Sequence, residues 1–166
     1  MSTATVVKIS QGEESALLVG ARIELGERAW RGLLRTHACL SKRLDAELER
    51  AHGLPMSSYE VLHHLAQASR GRMRMRDLAD HAQLSRSGLT RLVDRLERDG
   101  LLDRCSCDHD ARGAYACLTA AGRERLEEAR STQMRVVREH FISSLSEDEL
   151  RALAGMWERL APCNGR

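Results

Sequence analysis

Aromatic side chains are scarce in this chain: two Trp, two Tyr and one Phe in 166 residues. Hydrophobic residues still make up 42%, so a core is affordable, and it has to be built from Leu, Ala, Val and Met. Lysine is nearly missing, with Lys8 and Lys42 the only two and arginine supplying the rest of the basic charge. Arginine is the better fork for guanine and phosphate, although a GC-rich genome gives the same bias. A net charge of +2 excludes a polycation. No apolar run approaches 18 residues, which excludes a transmembrane helix and a membrane partner. The N-terminus lacks a basic n-region and a cleavage site, so the expected location is cytoplasmic. There is no Gly-x-Ser-x-Gly elbow, phosphate loop, dinucleotide fingerprint or His-Glu-x-x-His helix. The expectation is a non-enzyme without a cofactor. Five cysteines, an odd number, argue against a disulfide framework.

What is present is concentrated in Leu84–Leu102. Ser85 is a good N-cap, Gly100 a good left-handed stop, and Leu89, Leu92, Val93 and Leu96 form one apolar stripe between them. Arg86, Ser87, Thr90 and Arg91 crowd the exposed N-terminal half. A packed back with donors at the leading end is what a helix entering the major groove needs. The preceding Asp77–Ala82 reads as a short partner helix, with Leu78, Ala79, Ala82 and Leu84 at the crossing. The turn then falls on Gln83, where positive φ is uncommon for a residue with a Cβ. An ordinary helical hairpin is the alternative to a helix-turn-helix.

After Gly100 the period changes to that of strands. Residues 101–105 and 114–119 alternate, with turn-rich residues 106–113 between them, giving a β-hairpin with a long tip. Such a hairpin directly after a recognition helix is a wing. Arg112, beside Gly113, can project from its tip into a minor groove, with Asp110 placed to orient it; a solvated ion pair is the plain alternative. Arg70, Arg72, Arg74 and Arg76 alternate around Gly71, Met73 and Met75, suggesting a short strand that pairs with the wing.

The helix, Gly100–Arg104, Asp110–Gly113 and the run Leu118-Thr119-Ala120-Ala121-Gly122 together resemble the multiple-antibiotic-resistance regulator (MarR) family of bacterial transcription factors, over roughly residues 27–162. The resemblance implies a mainly α fold with a small β wing: a winged helix-turn-helix core flanked by dimerisation helices. It implies a homodimeric repressor on a pseudo-palindromic double-stranded DNA operator. The implied DNA contacts are Ser85, Arg86, Ser87, Thr90 and Arg91, with Arg112 at the wing tip and Asp110 as its neighbour. Arg104, at the wing base, is expected to hold phosphate or the fold itself.

The organisation that follows is an arm over 1–26, partly ordered; a domain over 27–162; and a tail over 163–166. Within the domain, 56–119 form the DNA-binding lobe, and 27–51 and 120–162 the dimerisation helices. Trp30, Leu33, Leu34, His37, Leu40, Leu44 and Leu48 recur at helical steps. Ser57 to Glu60 has capping-box separation, as does Ser146 to Glu149, and Thr119 can cap the helix between. The last helix carries the stripe Leu150, Leu153, Met156, Trp157 and Leu160. Two terminal stripes can close a monomer core or a dimer; the family resemblance favours the dimer.

Two sensing sites are conceivable. Trp30, Leu34 and His37 on one helix, with Tyr59 and His63 on the next, could line a pocket for a small aromatic acid, Arg31 or Arg35 meeting its carboxylate; residues of these kinds are more often plain core. Cys105, Cys107, His109 and Cys117 share the wing hairpin. Cys-x-Cys-x-His departs from the usual zinc spacing, so no metal is expected. Redox sensing needs an exposed thiolate, which Arg104 and Arg112 could favour. The favoured reading is reduced cysteines with no regulatory duty.

Overall fold

The computed structural model describes the backbone of residues 11–107 and 110–160 and the side chains of 19–105 and 114–160. The chain divides into two compact units, Met1–Cys39 and Leu40–Arg166.

The first unit is the leading part of helix α1, Gln11–His52. The sequence suggested an arm to residue 26 and a helix only from Glu27; helical backbone instead begins at Gln11. The reason is that the apolar stripe does not begin at Trp30. Val19 and Ile23 continue it at helical spacing, and Gly20 and Gly26 weaken the helix without ending it. Val19, Ile23, Leu25, Trp30 and Leu34 are each about half or more exposed within this chain. The expected tail begins beyond the described residues.

The second unit holds the core. The last turns of α1 contribute Leu44 and Leu48, both buried. The helix stops at Gly53, whose φ of +60° costs glycine little. Helix α2, Met56–Gln67, is not opened by Ser57: its N-cap is Pro55, which offers no side-chain acceptor, and the Met56 amide donates to Asp45 Oδ1 of α1 at 2.8 Å. Proline pre-sets φ and α1 supplies the missing acceptor, so the Ser57–Glu60 capping box is not used. Strand β1 (Arg72–Arg74), helix α3 (Met75–His81) and helix α4 (Arg86–Arg98) follow.

Strands β2 (Leu102–Cys107) and β3 (Asp110–Leu118) form the hairpin, and β1 pairs with β3, so the antiparallel sheet runs β1-β3-β2. Both strands reach further than their alternation suggested, leaving only residues 108 and 109 between them. The core beneath is mostly aliphatic: Val61, Leu62, Leu65, Leu78, Leu89, Val93, Leu96, Leu102 and Ala116 are essentially sealed from solvent.

Helix α5, Ala120–His140, leaves the wing through a junction that explains the Leu-Thr-x-x-Gly run. Thr119 Oγ1 accepts from the Gly122 amide at 2.9 Å and donates to the Gly100 carbonyl at 2.8 Å. A Cβ on Gly122 would lie 1.9 Å from the Leu101 carbonyl oxygen, so any larger residue collides with backbone. Leu126, Ala129 and Val136 bury one face of α5. His52 Nε2 meets Thr132 Oγ1 at 2.9 Å, and Arg135 donates to Glu47 at 2.7 Å. Helix α6, Glu147–Leu160, opens on a reciprocal capping box: the Ser146 amide donates to Glu149 and the Glu149 amide to Ser146 Oγ. Its Met156, Trp157 and Leu160 stay exposed. Among the described residues no helix is long and apolar enough to cross a membrane.

Candidate nucleic-acid interface

Helices α3 and α4 meet through a turn in which Gln83 takes φ +53°. The left-handed position expected there is occupied by a residue with a Cβ, held by Leu84 donating to the Ala79 carbonyl at 2.9 Å. Leu78, Ala79 and Ala82 on one side and Leu89 and Leu92 on the other are buried, which sets the crossing.

Ser85 caps α4, accepting from the Gly88 amide at 3.1 Å. Ser85, Arg86, Ser87, Thr90 and Arg91 are all exposed on its leading half. Their hydrogen-bonding freedom differs. Ser85 is committed to the cap, with Ser87 Oγ 3.3 Å from it. Thr90 Oγ1 donates to the Arg86 carbonyl at 2.9 Å, which leaves it acceptor lone pairs only. The Arg86 and Arg91 guanidiniums have no partner among the described residues.

The trailing half of α4 is tied down. Arg95 donates to Ser58 of α2 at 2.6 Å. Arg104 of β2 pairs with Asp94, and with Glu97 at 2.8 Å, while its backbone amide donates to Glu97 Oε1 at 3.3 Å. The hydrogen bond to Asp94 leads the interactions that hold the Arg104 pKa above its ordinary value. Arg104 therefore couples the wing base to α4, a clamp the sequence did not specify because its acceptors lie seven and ten residues upstream, across a turn.

On the far side of the sheet, Arg74 Nε donates to the Tyr115 hydroxyl at 2.8 Å and lies over its ring, and Arg76 pairs weakly with Asp77 at 3.4 Å. Asp110 and Arg112 belong to β3 by backbone; their side chains lie outside the described residues.

The wing cysteines overturn the expectation of reduced thiols. Cys105 and Cys117 form a disulfide, with Cα atoms 6.2 Å apart. Cys105 stands opposite Tyr115 and Cys117 opposite Asp103, so the two are diagonal neighbours on one sheet face. Counting cysteines could not show this, because strand register decides it. The β2–β3 register shifts between Cys105 and Cys107. Cys107 lacks a described side chain, and His109 is outside the described residues. Among the described residues no group of three or more His, Cys, Asp or Glu could hold a metal ion.

The remaining sensing candidates fall in different units. Trp30 is 59% exposed and Leu34 49% exposed on α1, where His37 is also exposed. Arg31 pairs with Glu27 at 3.5 Å, and Leu25, Arg28, Ala29, Arg31 and Arg35 line a shallow open groove on that helix. In the second unit Tyr59 is buried and its ring stacks on His63, centroids 5.9 Å apart. His63 also bonds Gln67 at 2.9 Å. Beyond it a histidine group absent from the sequence reading continues through His64 to His81, whose rings are 5.5 Å apart.

Comparison with known proteins agrees with this geometry. Residues 52–113 match the MarR family profile. The DNA complex of Sco3205, a MarR family transcriptional regulator from Streptomyces coelicolor, superposes with a TM-score of 0.74 at 28% identity, covering 96% of this chain and 91% of that one. AbsC, a MarR family transcriptional regulator from the same organism, gives a TM-score of 0.73 at 29% identity, covering 95% and 97%. The HTH-type transcriptional repressor YetL of Bacillus subtilis is 26% identical over 128 residues, 74% of this chain and 77% of that one. Residues 52–113, which hold the capped helix α4, its helix-turn-helix corner and most of the wing, are the part that matches the MarR family, and the fold as a whole is similar to that of solved MarR family transcriptional regulators.

Proposed function

We propose that the chain is a homodimeric repressor that reads a pseudo-palindromic operator, with α4 in the major groove and Arg112 of the wing in the flanking minor groove. One observation carries the reading: Arg86 and Arg91 are exposed and unpaired among the described residues, on a helix whose other half is anchored by Arg95 and Arg104. Free guanidiniums on a fixed helix suit bidentate recognition of guanine. Arg86, Arg91 and the acceptor of Thr90 are assigned to base edges, and Ser85 and Ser87 to nearby phosphates. Asp110 orients Arg112, and Arg104 acts by positioning α4.

The apolar residues left exposed on α1 and α6, among them Trp30, Leu34, Trp157 and Leu160, are the candidates for burial against a second copy. Dimerisation would set two recognition helices about one DNA turn apart. Such a protein works in the cytoplasm. Release by a small aromatic anion is the accompanying expectation, with Trp30, Leu34 and His37 in one unit and Tyr59 and His63 in the other as the residues to test.

The test is retention of genomic DNA fragments by the purified protein, with light scattering for its assembly. Expected are a dimer, one enriched palindromic motif and affinity that falls steeply with salt. Arg91→Ala should change the preferred bases, and Arg112→Ala should cost about 1–3 kcal/mol, more on AT-rich flanks. A monomer, or retention without a common motif, favours the alternative of a winged-helix module for protein contact. Phenolic acids titrated against Trp fluorescence and retention test the release step.

A further inference from the structure

Three imidazoles form a row across the seam between α2 and α3. The rings of His63 and His64 on α2 have centroids 6.1 Å apart, and those of His64 and His81 on α3 are 5.5 Å apart with planes tilted by 37°. His63 and His64 are half-buried, and His81 is exposed. Helix α2 packs against α3, α5, β1, β3 and the turn at residues 69–71. On α3, Asp77 pairs with Arg76, and Asp80 is exposed to water. On α5, Glu127 and Arg130 act on Tyr59, Glu124 is exposed, and Arg123 lies against Gly71. Arg74 of β1 is bonded to Tyr115 of β3, and Arg70 and Arg72 add only positive charge. Glu60 is the one acidic residue of α2. Burial, then His81, then His63 hold the His64 pKa below 6.5, so the charged neighbours that act on His64 share its sign. This seam is where the first helix of the helix-turn-helix rests. Leu78 and Ala79 of α3 are sealed, and the Leu84 amide at the corner donates to the Ala79 carbonyl. Helix α4 is tied to the same support by Arg95 and Ser58.

We propose that His64 and His81 are a proton-operated latch between α2 and α3: with at most one proton on the pair α3 stays seated and α4 is aimed, and a second proton sets two like charges face to face and unseats α3. Neutral rings pack at this distance without penalty. Two cations in a half-buried seam repel, and the buried one also loses hydration. The unseated form exposes both rings to water and binds the protons more readily, so acidification favours it. The opening is local, because the aliphatic core beneath the sheet does not depend on the seam. The consequence for DNA rests on the operator reading proposed above, and its sign is diagnostic. Protons added to a DNA-binding protein strengthen its attachment to a polyanion through charge alone. Unseating α3 turns α4 out of register and weakens it.

The test uses the full chain and a duplex carrying the motif enriched among the genomic fragments, at constant ionic strength and at pH values from about 7.5 to about 5.5, which bracket ordinary histidine titration. Affinity of the parent should fall by about five- to tenfold across that range, since each unit of pKa difference between the two forms multiplies their ratio by about ten. His64→Gln and His81→Gln should each hold affinity within about twofold. His140→Gln, exposed at the end of α5, should fall as the parent does. Should His64→Gln misfold, the exposed His81 position asks the same question alone. Amide exchange, taken relative to the intrinsic rate at each pH, should quicken by about tenfold across residues 78–84 of the acidified parent and not in His81→Gln. Affinity that rises or stays level on acidification of the parent would overturn the latch, as would a fall shared equally by all three variants. Exchange that ignores His81 would overturn it too. His81-dependent exchange in a chain that retains no common DNA motif would remove the operator reading and leave the latch standing.

Discussion

The Arg95 guanidinium donates to Ser58 Oγ at 2.6 Å, joining α4 to α2 across 37 residues of sequence. Ser58 is the one fully buried polar side chain among the described residues, and this bond satisfies it. Removing the hydroxyl takes away a charge-assisted acceptor while half-buried Arg95 can still turn to water. Ser58→Ala should therefore lower stability by only about 1 kcal/mol, measured by urea denaturation. Its effect on DNA affinity should be larger than that on stability alone, since α4 loses its rear support. Unchanged operator affinity would show that α4 is positioned without Ser58.

Arg104 acts through Asp94 and Glu97 rather than through a free charge. Arg104→Ala should weaken binding to all operators alike, and Asp94→Ala should do the same although it removes a negative charge facing a polyanion. The two changes together should cost about the same as either one, a non-additivity typical of residues in one network. If Asp94→Ala instead tightens binding, Arg104 is a phosphate ligand that Asp94 merely competes for.

Gln83 holds φ +53° at the helix-turn-helix corner. A left-handed conformation costs a residue with a Cβ about 1–2 kcal/mol, and glycine gives part of that gain back as unfolded-state entropy. Gln83→Gly should raise stability by about 0.5–1 kcal/mol, visible as a higher urea midpoint with unchanged slope. A loss of stability would mean that the exposed amide makes interactions worth more than the strain.

Glu47 receives hydrogen bonds from Arg50 and from Arg135 of α5, which bring its pKa from 4.5 down to about 2. Because the folded value is the lower one, the carboxylate contributes stability that is complete above the unfolded pKa and lost as pH falls from about 4.5 towards 2. The groups are exposed, so the effect is small. The difference in urea midpoint between the parent and Glu47→Gln should be constant above pH 5 and shrink to nothing near pH 2. A difference that persists at the acid end would assign the effect of the substitution to packing.

His64 is displaced in the opposite sense for its charge: burial first, then neighbouring His81 and His63, hold its pKa below 6.5. Protonation therefore favours the unfolded chain, and stability should decline as pH drops below 6.5. Proton NMR titration should place His64 below the ordinary histidine value, with His64→Gln removing part of the decline in urea midpoint between pH 7 and 5. A His64 titration at or above the ordinary histidine value would remove this account.

The features legible in the sequence are those enforced within a turn or two of chain. The Ser85 cap, the left-handed stop at Gly100, the Thr119 cap and the Ser146–Glu149 box each join residues three or four apart, or need only one backbone conformation. The stripe through Leu89, Leu92, Val93 and Leu96 is likewise a property of helical pitch. The early start of α1 was also written in the sequence, in Val19 and Ile23, but masked by Gly20 between them and Gly26 beyond. Tertiary structure decided what depends on register and on contacts between distant segments. Asp45 accepts from the Met56 amide because α2 starts beside the last turns of α1, so the helix opens at Pro55 and not at Ser57. Arg95 found Ser58, and Arg104 found Asp94 and Glu97, only once α4 was packed. Gly122 is required because the Leu101 carbonyl passes where its Cβ would be. The joining of Cys105 to Cys117 followed from the rung on which β2 meets β3: a strand paired one residue out of step would have turned the two sulfurs to opposite faces.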